Sequence, residues 1–332
     1  MKTHKFLFPF NMQRRDHFLT LDTIKKYKEC KIVYFFPEEH SKILDRPDLV
    51  LKFEEILRKN KSYLEIWLGN FEDNTQRLKK IDPNIERISI VNWSTYLANL
   101  SYSNFLKNNV PNYNKNIDFL FLSLNRRPLY HRCLLMDKIY QKQMNNYGKI
   151  SWLNRGNRDI PFDFKYFDNK YLILDTLHAK DYLNKSRTHL YENSLFDIIS
   201  ETTVKIKDVS EKTWFSYLYE KPNIILGHTG IHKRLELLGF SVYDEFFDYN
   251  FDSNTDLESK VESILNNVMK YKAIDYLELY NSALPKIKQN KNAAIDLIYN
   301  TSFVPEKLFS YRKKYSKQYP LLDYYAKVGK II

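Results

Sequence analysis

The densest group of side chains able to hold a charged ligand is Asn125-Arg126-Arg127, with Pro128, Leu129, Tyr130, His131 and Arg132 directly behind it. It follows the apolar run 118–124 without a gap and precedes a stretch of helical periodicity. In open α/β sheets ligands bind beyond the carboxyl ends of strands, where a starting helix also turns unpaired N–H groups towards an anion. Arginine offers a planar fork of donors matched to phosphate, so Arg126, Arg127 and Arg132 form a candidate clamp. As a purely local motif, the same run is also a solvated basic turn with Pro128 at the first helical position.

A second group is Ser210-Glu211-Lys212-Thr213-Trp214, followed by the apolar run 223–226 and a turn holding Gly227, His228 and Gly230. Ser210 suits an N-cap, which puts Glu211 and Lys212 in the first helical turn. A carboxylate there can hold a ribose diol and a lysine can meet a phosphate, although Glu211 can equally do no more than complement the helix dipole. Glu201, at the end of the preceding apolar run, is a further carboxylate on the same side. His228 and His232 flank the glycine turn, either near a phosphate or as parts of a plain polar loop.

Missing motifs narrow the chemistry. The chain has no Asp-x-Asp, so a metal-bridged diphosphate has no support in the sequence and no metal site is expected. Cys30 and Cys133 are too few and too far apart for a closed thiolate zinc site. No G-x-G-x-x-G and no G-x-x-x-x-G-K-[ST] is present, which speaks against a dinucleotide oxidoreductase and a P-loop NTPase. A G-x-S-x-G nucleophile elbow is absent as well.

The elements that must carry these groups are those of an α/β protein. A chain of 332 residues with 43% hydrophobic and 28% charged residues predicts one large or two medium domains with a packed core. Apolar runs at 5–10, 31–36, 63–68 and 87–92 read as strands, separated by amphipathic helices at 41–60, 72–80 and 94–107. The polar segment 108–116, holding Pro111, reads as a linker. Beyond it come strands at 118–124, 149–153, 171–175, 195–200 and 223–226, with helices at 129–143 and from Glu211. From Asp256 the chain is helical, divided by Pro285, Pro305 and Pro320.

The N-terminus has only a short apolar stretch, broken by Pro9, so a first buried strand is expected rather than a signal peptide. No uninterrupted apolar window reaches membrane-spanning length. The two cysteines, each at an apolar position, fit reduced core thiols and a cytoplasmic protein. Net charge is +12, with much of the Lys, Asn and aromatic content attributable to coding bias. Candidate partners for that charge are DNA and an anionic membrane surface. The tail run Tyr311-Arg312-Lys313-Lys314-Tyr315 can track a nucleic-acid backbone or simply form a solvated helix face.

Taken together, SEKTW at 210–214, the K-P-x-I-x-x-G segment at 221–227, the Leu238-Gly239-Phe240 helix end and YDEFFDYNFD at 243–252 resemble the C-terminal half of GT-B glycosyltransferases of the fucosyltransferase type and their phage-associated relatives. The L-N-R-R-P-x-x-H-R element at 124–132 is similar to theirs too. The resemblance spans about residues 118–253 and does not extend into the N-terminal third. The pattern of strands and helices gives two sheet domains, at 1–112 and 113–285, with a helical C-terminal segment at 286–332, and the resemblance implies that both are Rossmann-like. It also implies a nucleoside diphosphate sugar as donor substrate, with no separate cofactor. Arg126, Arg127, Arg132 and Lys212 would meet the diphosphate, Glu211 would hold the ribose, and Glu201 would contact ribose or sugar. Asn125, Ser210, Gly227 and His228 complete that pocket.

Transfer with inversion needs a base for the acceptor hydroxyl. Glu38 and Glu39, at the carboxyl end of the second strand, are the first candidates, though both also suit the start of the next helix. Asp16, after the first strand, is the next. A saccharide is the favoured acceptor. The alternatives are a DNA-modifying glycosyltransferase acting on hydroxylated bases and a non-catalytic nucleic-acid- or glycan-binding protein of the same fold.

Overall fold

A computed structural model describes residues 3–7, 20–36, 43–68, 74–92, 117–153, 162–172, 174, 188–205, 209–299, 306–315 and 317. The chain divides into two compact units. The first comprises residues 1–102, 206–208 and 298–332, and the second 103–205 and 209–297. Among the described residues each is built on a sheet of four parallel strands, so the fold is α/β with two sheets.

In the first unit β1 (Thr3–Leu7), α1 (Leu21–Lys25), β2 (Cys30–Phe36), α2 (Pro47–Lys59), β3 (Tyr63–Leu68), α3 (Asn74–Ile81) and β4 (Ile88–Asn92) follow one another. The strand order is 1-2-3-4. Right-handed crossovers that always step the same way put their helices on a single face. There Ile32, Tyr34, Leu64, Ile66 and Ile88 pack against Val50, Phe53, Leu57 and Leu78.

α2 starts at Pro47 instead of residue 41. Proline at the first helical position is pre-set for a helix and disfavours helical backbone in the residue before it. The strand read at 5–10 is β1, ending among the described residues at Leu7; the helix read at 94–107 and the linker 108–116 lie outside them.

The second unit runs β5 (Phe119–Asn125), α4 (Tyr130–Gln141), β6 (Gly148–Trp152), α5 (Thr188–Glu192), β7 (Ser194–Ser200), α6 (Glu211–Leu218), β8 (Asn223–Leu226), α7 (Ile231–Leu237), α8 (Leu257–Met269), α9 (Tyr276–Ser282) and α10 (Leu284–Tyr299). The order is β6-β5-β7-β8, so the chain reverses direction between β5 and β7. β7 is buried along its whole length, the mark of a parallel strand covered on both faces. Gly148 leaves room for a buried ring: a Cβ there would stand 2.4 Å from Cζ of Phe121 on β5.

One element of this unit differs from the sequence reading. Where a strand is expected at 171–175, the described residues form one antiparallel bridge, Leu172 to Trp152, which satisfies the edge of β6. Pro285 divides the tail as expected, for α9 ends at Ser282 and α10 begins at Leu284 with Pro285 in its first turn, where a missing N–H costs nothing.

α11 (Glu306–Tyr315) belongs to the first unit and lies on the sheet face opposite α1–α3. Tyr311 Oη donates to Glu65 Oε1 at 2.8 Å, and Glu65 also accepts from Lys31 Nζ at 2.7 Å and Trp67 Nε1 at 3.0 Å. Tyr315 Oη and His4 Nδ1 are 2.8 Å apart. Burial and the Glu65 carboxylate push the Tyr311 phenol up.

Candidate functional site

A doubly wound sheet opens a crevice where its strand order reverses, beyond the carboxyl ends of the two flanking strands. In the second unit those ends are Asn125 on β5 and Ser200-Glu201 after β7. The two groups singled out in the sequence therefore meet on one edge, although about eighty residues of chain separate them.

The contacts across that edge are direct. From the first turn of α4, His131 Nε2 lies 2.8 Å from the carbonyl oxygen of Glu201, and Arg132 Nη2 donates to the carbonyls of Ser200 at 3.3 Å and Glu201 at 2.9 Å. A carbonyl only accepts, so Nε2 carries the His131 proton. Burial, with the Arg132 charge beside it, pulls the His131 pKa down to about 3, and the ring stays neutral. From the first turn of α6, Lys212 Nζ donates to the Ser200 carbonyl at 2.6 Å.

Arg126 is buried, Arg127 is exposed and Lys212 half-buried. The edge therefore gathers four cationic side chains and two helix N-termini, an electropositive surface suited to a phosphate-bearing ligand. Arg132 differs from the clamp reading in one respect, since its guanidinium turns inward to staple α4 onto β7.

Ser210 occupies the N-cap position of α6 but makes no side-chain capping bond. The Glu201 carboxylate anchors this helix start without capping its first-turn N–H groups, accepting from the N–H of Ser210 itself at 3.0 Å and from Thr213 Oγ1 at 2.7 Å. Asn125 Nδ2 donates to Ser123 Oγ at 3.1 Å. Asn125 Oδ1, Ser200 Oγ and Ser210 Oγ are all buried and have no hydrogen-bond partner among the described residues. Buried polar atoms are nearly always satisfied, so three orphans from three chain segments on one strand edge call for a ligand or water.

Gly227 ends β8 against this site, where a Cβ would come within 2.5 Å of Ile231 Cδ1 and 3.4 Å of Glu201 Cγ. His228 is buried in the turn that follows. His232 serves the fold, for its Nε2 accepts from the Ile225 N–H on the outer edge of β8 at 3.2 Å, so Nδ1 donates to Asp252 Oδ1 at 2.9 Å. Asp252 also caps α7 by accepting from His232 N at 3.1 Å. Glu211 starts α6, and nothing further is described of its side chain. Glu38, Glu39 and Asp16 lie outside the described residues.

Several polar residues of this unit carry no role that the sequence reveals. His131 is one, and Thr213 another. Asp197 and Lys221 lie deeper in the unit, both buried. Burial pushes Asp197 up to about 7 against a hydrogen bond from Ser216 and the nearby charges of Lys212 and Lys221. Burial pulls Lys221 down to about 7 against the attraction of Asp197, Glu192 and Glu220, while its Nζ donates to the Ser194 carbonyl. No local pattern marks these residues, because their partners come from other elements.

Among the described residues no three His, Cys, Asp or Glu side chains come together as metal ligands, and no helix is long and apolar enough to cross a membrane. No protein-family model, curated protein or solved structure matches this chain. The comparisons therefore identify neither the fucosyltransferase-type family nor any other.

Proposed function

We propose that the protein is a glycosyltransferase whose second unit holds a nucleoside diphosphate sugar at the carboxyl edge of β5 and β7. The observation that carries this reading is the set of buried, unpartnered oxygens of Asn125, Ser200 and Ser210 beside four cationic side chains and two helix starts. Two parallel-sheet units, with the last described helix belonging to the first, support a GT-B architecture.

In the reaction the acceptor oxygen attacks the anomeric carbon, the bond from that carbon to the diphosphate oxygen breaks, and a base takes the acceptor proton. Charge develops on the departing diphosphate. Arg126, Arg127 and Lys212, with the N-termini of α4 and α6, stabilise it by preorganised electrostatics. Glu211 is assigned to the ribose, and Glu38, Glu39 or Asp16 to the base. A saccharide is the favoured acceptor.

The test is a panel of UDP- and GDP-linked sugars read first by thermal stabilisation, since a ligand that binds only the folded state raises its apparent stability. The stabilising donor is then incubated with saccharide acceptors while nucleoside diphosphate release is followed. Stabilisation and acceptor-dependent release are expected. Absence of both across the panel would overturn the proposal.

A further inference from the structure

Glu201 ties the two helix starts of the site together. Its carbonyl oxygen receives His131 Nε2 and Arg132 Nη2 from α4, at 2.8 and 2.9 Å. Its carboxylate receives Ser210 N and Thr213 Oγ1 from the start of α6, at 3.0 and 2.7 Å. The residue is 2% exposed and Thr213 is 0% exposed. The close approach of Gly227 holds the Glu201 side chain from the β8 side.

A carboxylate with both oxygens already accepting and only 2% exposure is closed off from ribose hydroxyls by burial. What it can do is fix geometry. α6 spans only Glu211–Leu218, too short to hold its own position by helix propensity, and the hydroxyl of its N-cap Ser210 makes no capping bond. The entry point of α6, and with it the placement of Ser210 and Lys212, is set by the Glu201 carboxylate. The placement of α4, and with it the Arg126-Arg127 turn, is set by the Glu201 carbonyl.

We infer that Glu201 is a positioning residue that holds the N-terminal ends of α4 and α6 in register around the ligand's phosphates, in place of a contact with the ribose. This inference rests on the nucleotide reading above. Donors preplaced to within a fraction of an ångström bind and stabilise a charge that loosely held donors do not.

The two roles separate when the ribose is removed from the probe. Inorganic pyrophosphate, UDP and GDP are titrated calorimetrically into the wild type, Glu201→Gln and Thr213→Val. Thr213 is buried behind Glu201, so its variant changes the scaffold only. A positioning role predicts that Glu201→Gln weakens pyrophosphate and nucleoside diphosphates by the same factor, about tenfold, as a neutral amide replaces a charge-assisted acceptor. Thr213→Val should weaken all probes in parallel by a smaller factor, and it carries the test if Glu201→Gln does not fold. Loss confined to UDP and GDP with pyrophosphate unchanged would overturn the inference and restore a ribose contact. Unchanged binding of every probe by Thr213→Val would also overturn it. A wild type that binds none of the three removes the nucleotide reading itself, and the inference with it.

Discussion

Arg132 and Arg127 stand in the same basic turn and helix start, yet they should fail in opposite ways. Arg132 is 3% exposed and its Nη2 donates to the carbonyls of Ser200 at 3.3 Å and Glu201 at 2.9 Å. A hydrogen bond from a charged donor contributes about 1.5–3 kcal/mol. Substituting Arg132→Met removes both bonds but leaves neither carbonyl bare, since Lys212 Nζ still reaches Ser200 and His131 Nε2 still reaches Glu201. Methionine also avoids the desolvation of a buried guanidinium. The net loss in the second unit should therefore be about 1–3 kcal/mol, below what breaking a buried ion pair costs.

Arg127 is exposed, so Arg127→Ala should change stability by less than about 0.5 kcal/mol while weakening UDP or GDP about tenfold. Amide hydrogen exchange read by mass spectrometry on β7 and the start of α4 isolates the second unit, which matters because a two-unit chain need not unfold in one step. Wild-type exchange in Arg132→Met, combined with a loss of nucleotide affinity equal to that of Arg127→Ala, would refute the staple and put the guanidinium on the ligand.

Gly148→Ala should destabilise the second unit by about 1–3 kcal/mol, because its new Cβ meets the fully buried Phe121 ring; an unchanged thermal transition would contradict that packing. The Asp197 and Lys221 shifts predict a stability trough near pH 7. Asp197, raised from 3.8 to about 7, contributes stability that is full below about pH 4 and is lost as the pH rises through 7. Lys221, lowered from 10.5 to about 7, contributes stability that is full above 10.5 and is lost as the pH falls through 7. The double variant Asp197→Asn/Lys221→Met should flatten the denaturation profile across pH 5–9 (roughly the span that brackets both shifts), and an unaltered trough would sink the assignment. Sugar transfer should proceed at its full rate in EDTA, because side-chain cations and helix termini carry the leaving-group charge; activity lost to chelator and restored by a divalent ion would contradict this.

Both sheets are legible in the sequence because strands buried on two faces read as continuous apolar runs, as at 119–125, 194–200 and 223–226. The start of α2 is not, because periodicity continues back past Pro47, whereas the steric rule at proline decides the boundary. Arg126-Arg127 and Ser210-Glu211-Lys212 mark the candidate edge, since position after a strand is a local signal.

What the sequence hides is direction. Arg132 lies inside α4 against β7, and nothing in the run Asn125–Arg132 says which arginine turns inward. Ser210 fits a hydroxyl cap by residue type, but its hydroxyl makes no cap bond, and its N–H is instead held by a carboxylate nine positions upstream in the chain. The polar contacts of Asp197, Glu201, Thr213 and Lys221 arise only when β7, α6 and β8 come together, so no spacing along the chain announces them.

The central claim, that the carboxyl edge of β5 and β7 holds a nucleoside diphosphate, is tested most directly by mapping hydrogen exchange with and without saturating UDP or GDP. Protection is predicted in two separate stretches, at residues 125–132 and 200–213, with the remainder of the described chain unchanged. Protection confined to other segments, or none at millimolar ligand, would contradict it.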